Sequence, residues 1–537
     1  MAALTPPLTT SLFDLGGPPP CPEPFNAAAY CLSAAARAHP DKTALIVVRD
    51  AASLSAEEHW TFGQLDGAVR RLAKGLQNIG LRPGQRVMLR LDNTSLFPLT
   101  FFATLAAGGI AVPTSALLTP GEARFVAEDC GARFLCLADD LPLDGGQNDA
   151  WLDGCRTLSE TDLRHMMAVE TPADYAPTQP DTPAYIVYTS GATATPKGVL
   201  HAHRAVWART MMYDGWYGLR ADDRMLHAGA LNWTYTLGAG LMDPWAVGAG
   251  TVIYNGAKDP GVWPRLAAHH RATLFAAVPG VFRQLLKHAE GLKAGFATVR
   301  HGLTAGEKLP EELLAQWTTI TQKPLFEALG MSECSTYVSS SPTVAVKSGR
   351  SGRPQPGRRV AVLDADAPSA QTVGIDQPGL LAIHKDDPGL MVRYWNRAPE
   401  TRAAFRGRWF VTGDLATMDG DGYIHYLGRA DDIMNAQGYR VAPQEIEELL
   451  IGHPNVNDCA CAEISVRPGV SIITAFVVSP NSATPNTEHL TRHLGKRLAP
   501  YKVPKAFVFV DALPRTPTGK VARRELAKLP VQPLKRL

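Results

Sequence analysis

The sequence predicts an α/β fold, with a large N-terminal α/β domain of several subdomains and a small α+β C-terminal domain, and three observations predict it. Amphipathic helix patterns alternate with short apolar strand patterns over the first several hundred residues, as in layered α/β proteins. From about Gly357 the texture changes to short strands punctuated by Pro and Gly, which reads as a β-rich subdomain over about residues 350–429. After GRADD, Gly428 to Asp432, helix and strand patterns mix again to the end of the chain. The expected domains are therefore 1–429 and 430–537, with the boundary near Arg429 to Asp432.

The elements follow in order. Leu65, Val69, Leu72, Leu76 and Ile79 recur at steps of 4, 3, 4 and 3, which places them on one helical face, and Gly80 ends that helix. RPGQ makes a turn, and VMLRL from Val87 to Leu91 reads as a strand. The most apolar stretch, LFPLTFFATLAAGGIAV from Leu96 to Val112, carries Pro98, two threonines and the pair Gly108, Gly109. A buried helix turning into a strand is expected there, not a membrane span. AYIVYT, GTVIYN and TLFAAV are the next strand candidates, and RRVAVLD, GLLAIH and GYIHYLG fill the β-rich region. The last part reads as helix PQEIEELLIGH, strands CACAEIS and IITAFVVS, helix HLTRHLGKRL and strand AFVFVDAL.

Composition removes several function classes. With 45% hydrophobic and 19% charged residues in 537, the chain lacks the signature of disorder. Lys and Arg total 53 against 51 Asp and Glu, so the broad positive field that non-specific nucleic-acid binding needs is missing. No nucleic-acid partner is expected. The N-terminal MAALTPPLTTSLFDL has no basic n-region and breaks at Pro6 and Pro7, so no secretion signal is expected. The eight cysteines are sparse, and Cys459 and Cys461 lack CxxC spacing, which fits reduced, buried thiols in a cytoplasmic protein.

The string that carries most chemistry is YTSGATATPKGV, Tyr188 to Val199, directly after an apolar strand. Its serine, threonines and glycines can wrap a polyphosphate with N–H groups and hydroxyls while Lys197 adds positive charge. It is not a P-loop, because Pro196 stands where the second Gly belongs and Gly198 follows the lysine. Taken alone, a Ser/Thr/Gly surface loop is an equal reading.

Four more strings follow it: TAGEKLP at Thr304, LGMSE at Leu329, TGDLATMDGDGYIHYLGRADD at Thr412 and PRTPTGKVARREL at Pro514. In this order the five motifs resemble those of the adenylate-forming superfamily of acyl-CoA and aryl-CoA synthetases, luciferases and nonribosomal adenylation domains. Within it the resemblance is strongest to benzoate-CoA ligases and related acyl-CoA ligases, carried by LNWTYTLGAGLMDPWAVGA, YWNRAPETRAAFRGRWFVTGD and LAPYKVPKAFVFVDALPRTPTGK. The resemblance implies an AMP-forming carboxylic acid–CoA ligase with ATP, CoA and a small acid as partners, Mg²⁺ as cofactor and a mobile C-terminal domain. A homodimer is left open. Two other readings stay open: adenylation followed by transfer to a carrier-protein pantetheine, and a non-catalytic nucleotide- or acyl-binding protein of the same fold.

Such chemistry has physical requirements. A carboxylate is a poor acyl donor, and its attack on the α-phosphorus of ATP makes an acyl-AMP from which a thiol can displace AMP. This needs a triphosphate cradle, a divalent cation, a cation near the reacting oxygens and ribose hooks. By resemblance the cradle is Thr189, Ser190, Gly191, Thr193, Thr195 and Lys197, with Ala305, Gly306, Glu307, Leu329 and Gly330 also around the nucleotide. Ser332, Glu333 and Lys520 are the catalytic candidates: Glu333 holds Mg²⁺, and Lys520 bridges the substrate carboxylate and the α-phosphate. Asp414 and Arg429 hold the ribose, and Trp233 and Tyr235 line the acyl pocket. Asp431 is the hinge and Gly438 leaves room for the pantetheine arm. Two departures, Ala192 for a usual hydroxyl and Ala194 for a usual glycine, imply slower triphosphate handling. His201 and His203, with no third ligand at metal spacing, are expected to be structural.

Overall fold

The computed structural model describes residues 8–529, except 15, 19, 51–56, 142, 144–151, 190–195, 258, 433, 437–438, 468–469, 481–485, 501, 516–520 and 527. The chain divides into two compact units. One holds Phe13–Val360 and Ile383–Phe410, and the other holds Met1–Leu12, Ala361–Ala382 and Val411–Leu537. The residues expected to begin a separate domain at 430 thus group with most of the expected β-rich region.

The first unit is built on two sheets. In the nine-stranded sheet, Thr43–Val48, Gly250–Tyr254, Arg224–His227, Leu274–Ala277, His301–Ala305 and Leu325–Met331 run parallel as its central strands. Antiparallel strands finish it at both sides: Glu58–Thr61 beyond Thr43–Val48, and Ser335–Ser339 followed by Arg353–Pro354 beyond Leu325–Met331. The seven-stranded sheet runs Arg393–Tyr394, Lys197–Ala202, Pro183–Thr189, Ile110–Pro113, Arg86–Arg90, Ala132–Leu137 and Arg156–Leu158. Central parallel strands are covered on both faces, which is why they carry continuous apolar runs such as ALIVV in Thr43–Val48 and FLCL in Ala132–Leu137.

The helices obey the sequence pattern. Phe62–Asn78 carries the expected apolar face, and Thr61 caps it by accepting from the Gln64 N–H while the Gln64 side chain accepts from the Thr61 N–H. Leu96–Ala106 is buried along its whole length. Gly108 then takes a left-handed φ of 78° and the chain enters the strand Ile110–Pro113, so the most apolar segment is a core helix and turn. No helix among the described residues is long and apolar enough to cross a membrane.

In the second unit, Arg359–Leu363, Gly379–His384, Trp409–Met418 and Ile424–Arg429 lie side by side in a sheet. Beyond them Asp458–Arg467 and Val470–Val478 pair antiparallel, and Ala506–Phe509 adds a parallel third strand. Helices Pro443–Ile451 and Thr487–Gly495 contribute Ile446, Leu450, Leu490 and Leu494 to a core shared with Cys459, Cys461, Ile473 and Val477. All eight cysteines are free, and all but Cys21 are buried.

Candidate active site

Thr189 ends one strand and Lys197 begins the next, and the two residues are register partners across an antiparallel pair. Both flanks of the expected phosphate loop are therefore fixed by the sheet. Ser190, Gly191, Thr193 and Thr195, together with Ala192 and Ala194, lie outside the described residues. On the other side of Lys197–Ala202 pairs Arg393–Tyr394, with Tyr394 opposite Val199. This places the Lys197 ammonium 5.6 Å from the centre of the Tyr394 ring.

Tyr394 leads to the second motif. Its hydroxyl donates to Glu333 Oε1 at 2.7 Å, and the Glu333 carbonyl accepts from the Met391 N–H at 2.7 Å. One glutamate of LGMSE is thus held beside the strand that follows the phosphate loop. Its Oε2 carries no hydrogen bond among the described residues, so the carboxylate offers a hard oxygen of the kind Mg²⁺ takes. Ser332 is fixed through its carbonyl, which accepts from His201 Nε2 at 2.8 Å.

Leu329 and Gly330 sit where the strand Leu325–Met331 has a β-bulge against Ser335–Ser339. A Cβ at Gly330 would lie 2.7 Å from the Ser335 carbonyl oxygen and 2.8 Å from Thr336 Cα, so only glycine allows the two backbones to approach this closely. Ala305 closes the neighbouring parallel strand opposite Ala328, and Gly306 follows with a φ of 99°, turning the chain out of the sheet toward Glu307. The turn is secured from below, since the Leu309 N–H donates to Glu327 Oε1 at 3.0 Å. These residues lie at the carboxyl ends of parallel strands, where open α/β sheets bind their ligands.

On the acyl side, Trp233 is half-buried at the start of the short helix Thr234–Leu237. Tyr235 is held on both sides: its ring stacks on Trp216 at 5.6 Å and its hydroxyl donates to the Leu303 carbonyl at 3.1 Å. His227 packs edge-on to the same ring at 4.5 Å, fully buried, and among the described residues neither of its ring nitrogens has a hydrogen-bond partner. Burial pushes its pKa down to about 3, so it is a neutral imidazole. Thr234 and Ser332 line one narrow cleft together with Tyr185 and His201.

The two histidines after the loop have structural partners. His201 stacks on Tyr185 at 4.8 Å, and His203 Nδ1 accepts the Ala27 N–H at the start of helix Ala27–Ala38, at 3.0 Å. Burial lowers both pKa values to about 4.

In the second unit Asp414 and Arg429 face each other as register partners. Arg429 Nη1 donates to Asp414 Oδ1 at 3.2 Å and to the Thr412 carbonyl at 2.9 Å. Gly413 between them has a φ of 78°, and a Cβ there would meet Arg429 Nη2 at 2.6 Å. Asp431 is the middle residue of the 3-10 turn Ala430–Asp432, which directly follows this strand. Gly438 and Lys520 lie outside the described residues, but the base of the segment carrying Lys520 is described. The Ala522 N–H donates to the Pro514 carbonyl at 2.8 Å, and Arg515 bridges to Val521. Just beyond, Arg523 Nη2 donates to Glu447 Oε2 at 2.9 Å, and its Nε lies 3.4 Å from Asp432.

Sequence reasoning gave no role to Tyr394, Glu327, His227 or Arg523. The available signals were slight: a tyrosine inside YWNRAPE, a lone acid within the apolar strand LFEALGM, and a histidine closing the apolar strand RMLH.

Comparison with known proteins agrees with this geometry. Residues 32–395 match the family of AMP-binding enzymes, and residues 445–520 match the AMP-binding enzyme C-terminal domain. The chain is 30% identical over 487 residues to the 3-hydroxybenzoate–CoA ligase of Aromatoleum sp. (strain CIB), covering 87% of this chain and 91% of that protein. It is 30% identical over 543 residues to the benzoate–CoA ligase of Thauera aromatica, covering 96% and 99%. The crystal structure of the anthranilate CoA ligase AuaEII in complex with anthranoyl-AMP superposes with a TM-score of 0.85 at 26% identity, covering 95% of this chain and 98% of that one. With matched motifs, a matched fold and family matches in both parts of the chain, this protein belongs to the AMP-binding enzymes, the adenylate-forming superfamily that includes the benzoate-CoA ligases.

Proposed function

We propose that this chain is an AMP-forming carboxylic acid–CoA ligase acting on a small aromatic acid, by way of an acyl-adenylate. The observation that carries the reading is the junction of Lys197, Tyr394 and Glu333, which sets a cation and a fixed carboxylate beside the phosphate-loop strands. The acid's carboxylate attacks the α-phosphorus of ATP and pyrophosphate leaves. The thiol of CoA then attacks the acyl carbon and AMP leaves.

Lys197 and the hydroxyls of the phosphate loop balance charge on the β- and γ-phosphates, and Asp414, backed by Arg429, accepts hydrogen bonds from the ribose hydroxyls. Glu333 would hold Mg²⁺, which when bound neutralises phosphate charge; Tyr394 fixes the carboxylate for that task. Lys520 counters the repulsion between the carboxylate and the α-phosphate in the first step. A turn about Asp431 takes the C-terminal segment 430–537 to a second arrangement, in which Gly438 opens the pantetheine path. Trp233 and Tyr235 border the acyl group. The relatives' acids, hydroxybenzoate, benzoate and anthranilate, support an aromatic substrate. The buried free thiols support a cytoplasmic setting.

The test is formation of CoA esters from a panel of benzoates and aliphatic acids with Mg²⁺ and ATP. Aromatic esters with AMP and pyrophosphate are expected. ADP as product would overturn the reading, and acyl-AMP formation without consumption of free CoA would transfer it to a carrier-protein acceptor.

A further inference from the structure

At the far edge of the nine-stranded sheet from Leu325–Met331, a glutamate and three histidines meet with no role in the ligase reaction. Glu57 immediately precedes the edge strand Glu58–Thr61, and His59 lies on that strand opposite Ile46. His269 and His270 are the last residue and the C-cap of helix Val262–His269. The cap is anchored, because Arg224 Nη1 donates to the His270 carbonyl at 2.6 Å.

The side chains converge. His270 Nε2 lies 3.1 Å and His269 Nε2 3.7 Å from Glu57 Oε1, and the three ligand atoms all lie within 4.8 Å of one another. Four-coordinate zinc, with bonds of about 2.0–2.1 Å, sets its ligand atoms roughly 3.3 Å apart. The other carboxylate oxygen, Oε2, is engaged by His59 Nε2 at 3.1 Å.

A plain histidine–glutamate hydrogen bond does not account for the contact. The side chains of His270 and Glu57 are only 4% and 7% exposed, yet among the described residues His270 Nε2 and Glu57 Oε1 make no hydrogen bond despite their 3.1 Å separation. Two buried polar atoms that close and still unpaired are unusual in a folded protein. With His269 Nε2 they form a cluster of ligand atoms at the spacing a shared cation would need.

The geometry points to a divalent-cation site of the zinc type, with Glu57 Oε1, His269 Nε2 and His270 Nε2 as ligands and His59 orienting the carboxylate. Imidazole and carboxylate together favour Zn²⁺ and its late first-row neighbours over Mg²⁺ or Ca²⁺, which take oxygen ligands. Three protein ligands leave a fourth position for water. A bound ion joins the edge strand to the end of helix Val262–His269.

The experiment uses the full chain, stripped with chelator, and titrates Co²⁺ alone while the visible d–d bands of a four-coordinate ion are followed. Zn²⁺ is then added as competitor, and melting is recorded with and without Zn²⁺. Uptake of one equivalent displaced by Zn²⁺, with a raised Tm, is expected. His269→Ala, at a residue whose side chain is 46% exposed and whose loss leaves the core intact, should weaken uptake at least tenfold, and Glu57→Gln should do the same. His59→Ala should weaken it by about 10- to 100-fold, the usual cost of losing a group that orients a metal ligand. Absence of four-coordinate bands in the unaltered chain, or equal uptake by the His269→Ala and Glu57→Gln variants, would overturn the site.

Discussion

The Glu333 region and the Lys520 region place their working residues by opposite means. Around Glu333 every position is set by strand ends of two large sheets: Thr189 and Lys197 by register, Gly330 by a bulge, Ala305 by a parallel neighbour. At Arg515 and Arg523, which flank the string carrying Lys520, the sheet is small and ion pairs brace the chain. Arg515 pairs with Asp458, while Arg523 joins Glu447 and Asp432, all of them within the segment that follows the expected hinge. One half-site is built on the packed backbone of the large sheets, whereas the other is braced by ion pairs inside the segment that the expected hinge would carry as a unit. That contrast suits a reaction in which one set of groups stays with the nucleotide and another must leave.

Breaking the charged ties should give the largest effect. Arg523→Met leaves Glu447 buried without its partner, and removal of one member of a buried pair typically costs about 3–5 kcal/mol. Denaturant melts should show residues beyond 430 unfolding early while the first unit keeps its own transition.

The strand-built region should instead reveal itself to acid. His203, buried against the Ala27 N–H, has a pKa of about 4 in the native chain against a reference of 6.5, so the unfolded state takes up the proton first. Its contribution is complete above about pH 6.5 and is lost as pH falls toward 4, at about 1.4 kcal/mol per unit, or on the order of 3 kcal/mol in all. His203→Asn keeps an acceptor for that N–H without the titration, and should reduce the slope of stability between pH 6.5 and 4 by about one proton, leaving the share of the other buried histidines such as His201 and His227. An unaltered slope would show that His203 is not the group titrating.

Smaller effects sharpen the comparison at single bonds. Asp414→Ala should raise the KM for ATP by about 10- to 100-fold, the value of one or two charge-assisted hydrogen bonds at roughly 1.5 kcal/mol each, with the ranking of acids unchanged. Tyr394→Phe removes one bond to Glu333, worth at least about 1.5 kcal/mol, and should shift the Mg²⁺ concentration for half-maximal rate upward by about tenfold while KM for the acid stays put. A Mg²⁺ dependence identical to the unaltered chain would detach Tyr394 from the metal ligand.

Much of this was legible in the sequence because it is written locally. The stripe from Leu65 to Ile79 is the buried face of Phe62–Asn78, and LFPLTFFATLAAGGIAV is the buried helix, turn and strand its glycines announce. Thr189, Lys197, Ala305 and Gly306 of the motifs sit at strand ends or the turns that follow them, which is where a short local string specifies structure. What was not legible depends on partners distant in the chain. Tyr394 meets Glu333 only because a short strand docks on Lys197–Ala202, and Arg523 meets Glu447 only after the C-terminal sheet forms. Glu57 and the His269, His270 pair are likewise joined by folding alone, and no local spacing signals a shared ligand set.

The most direct test of the contrast separates the two half-reactions. Acyl-AMP formation from ATP and acid, and conversion of chemically supplied acyl-AMP to acyl-CoA, are timed for Lys520→Ala and Gly438→Leu. Lys520→Ala should lose about 10²- to 10³-fold in adenylation, the scale for one preorganised charge-stabilising group, and keep thioester formation. Gly438→Leu should keep adenylation and lose thioester formation. Equal loss of both steps in both folded variants would contradict the assignment of Lys520 and Gly438 to separate steps.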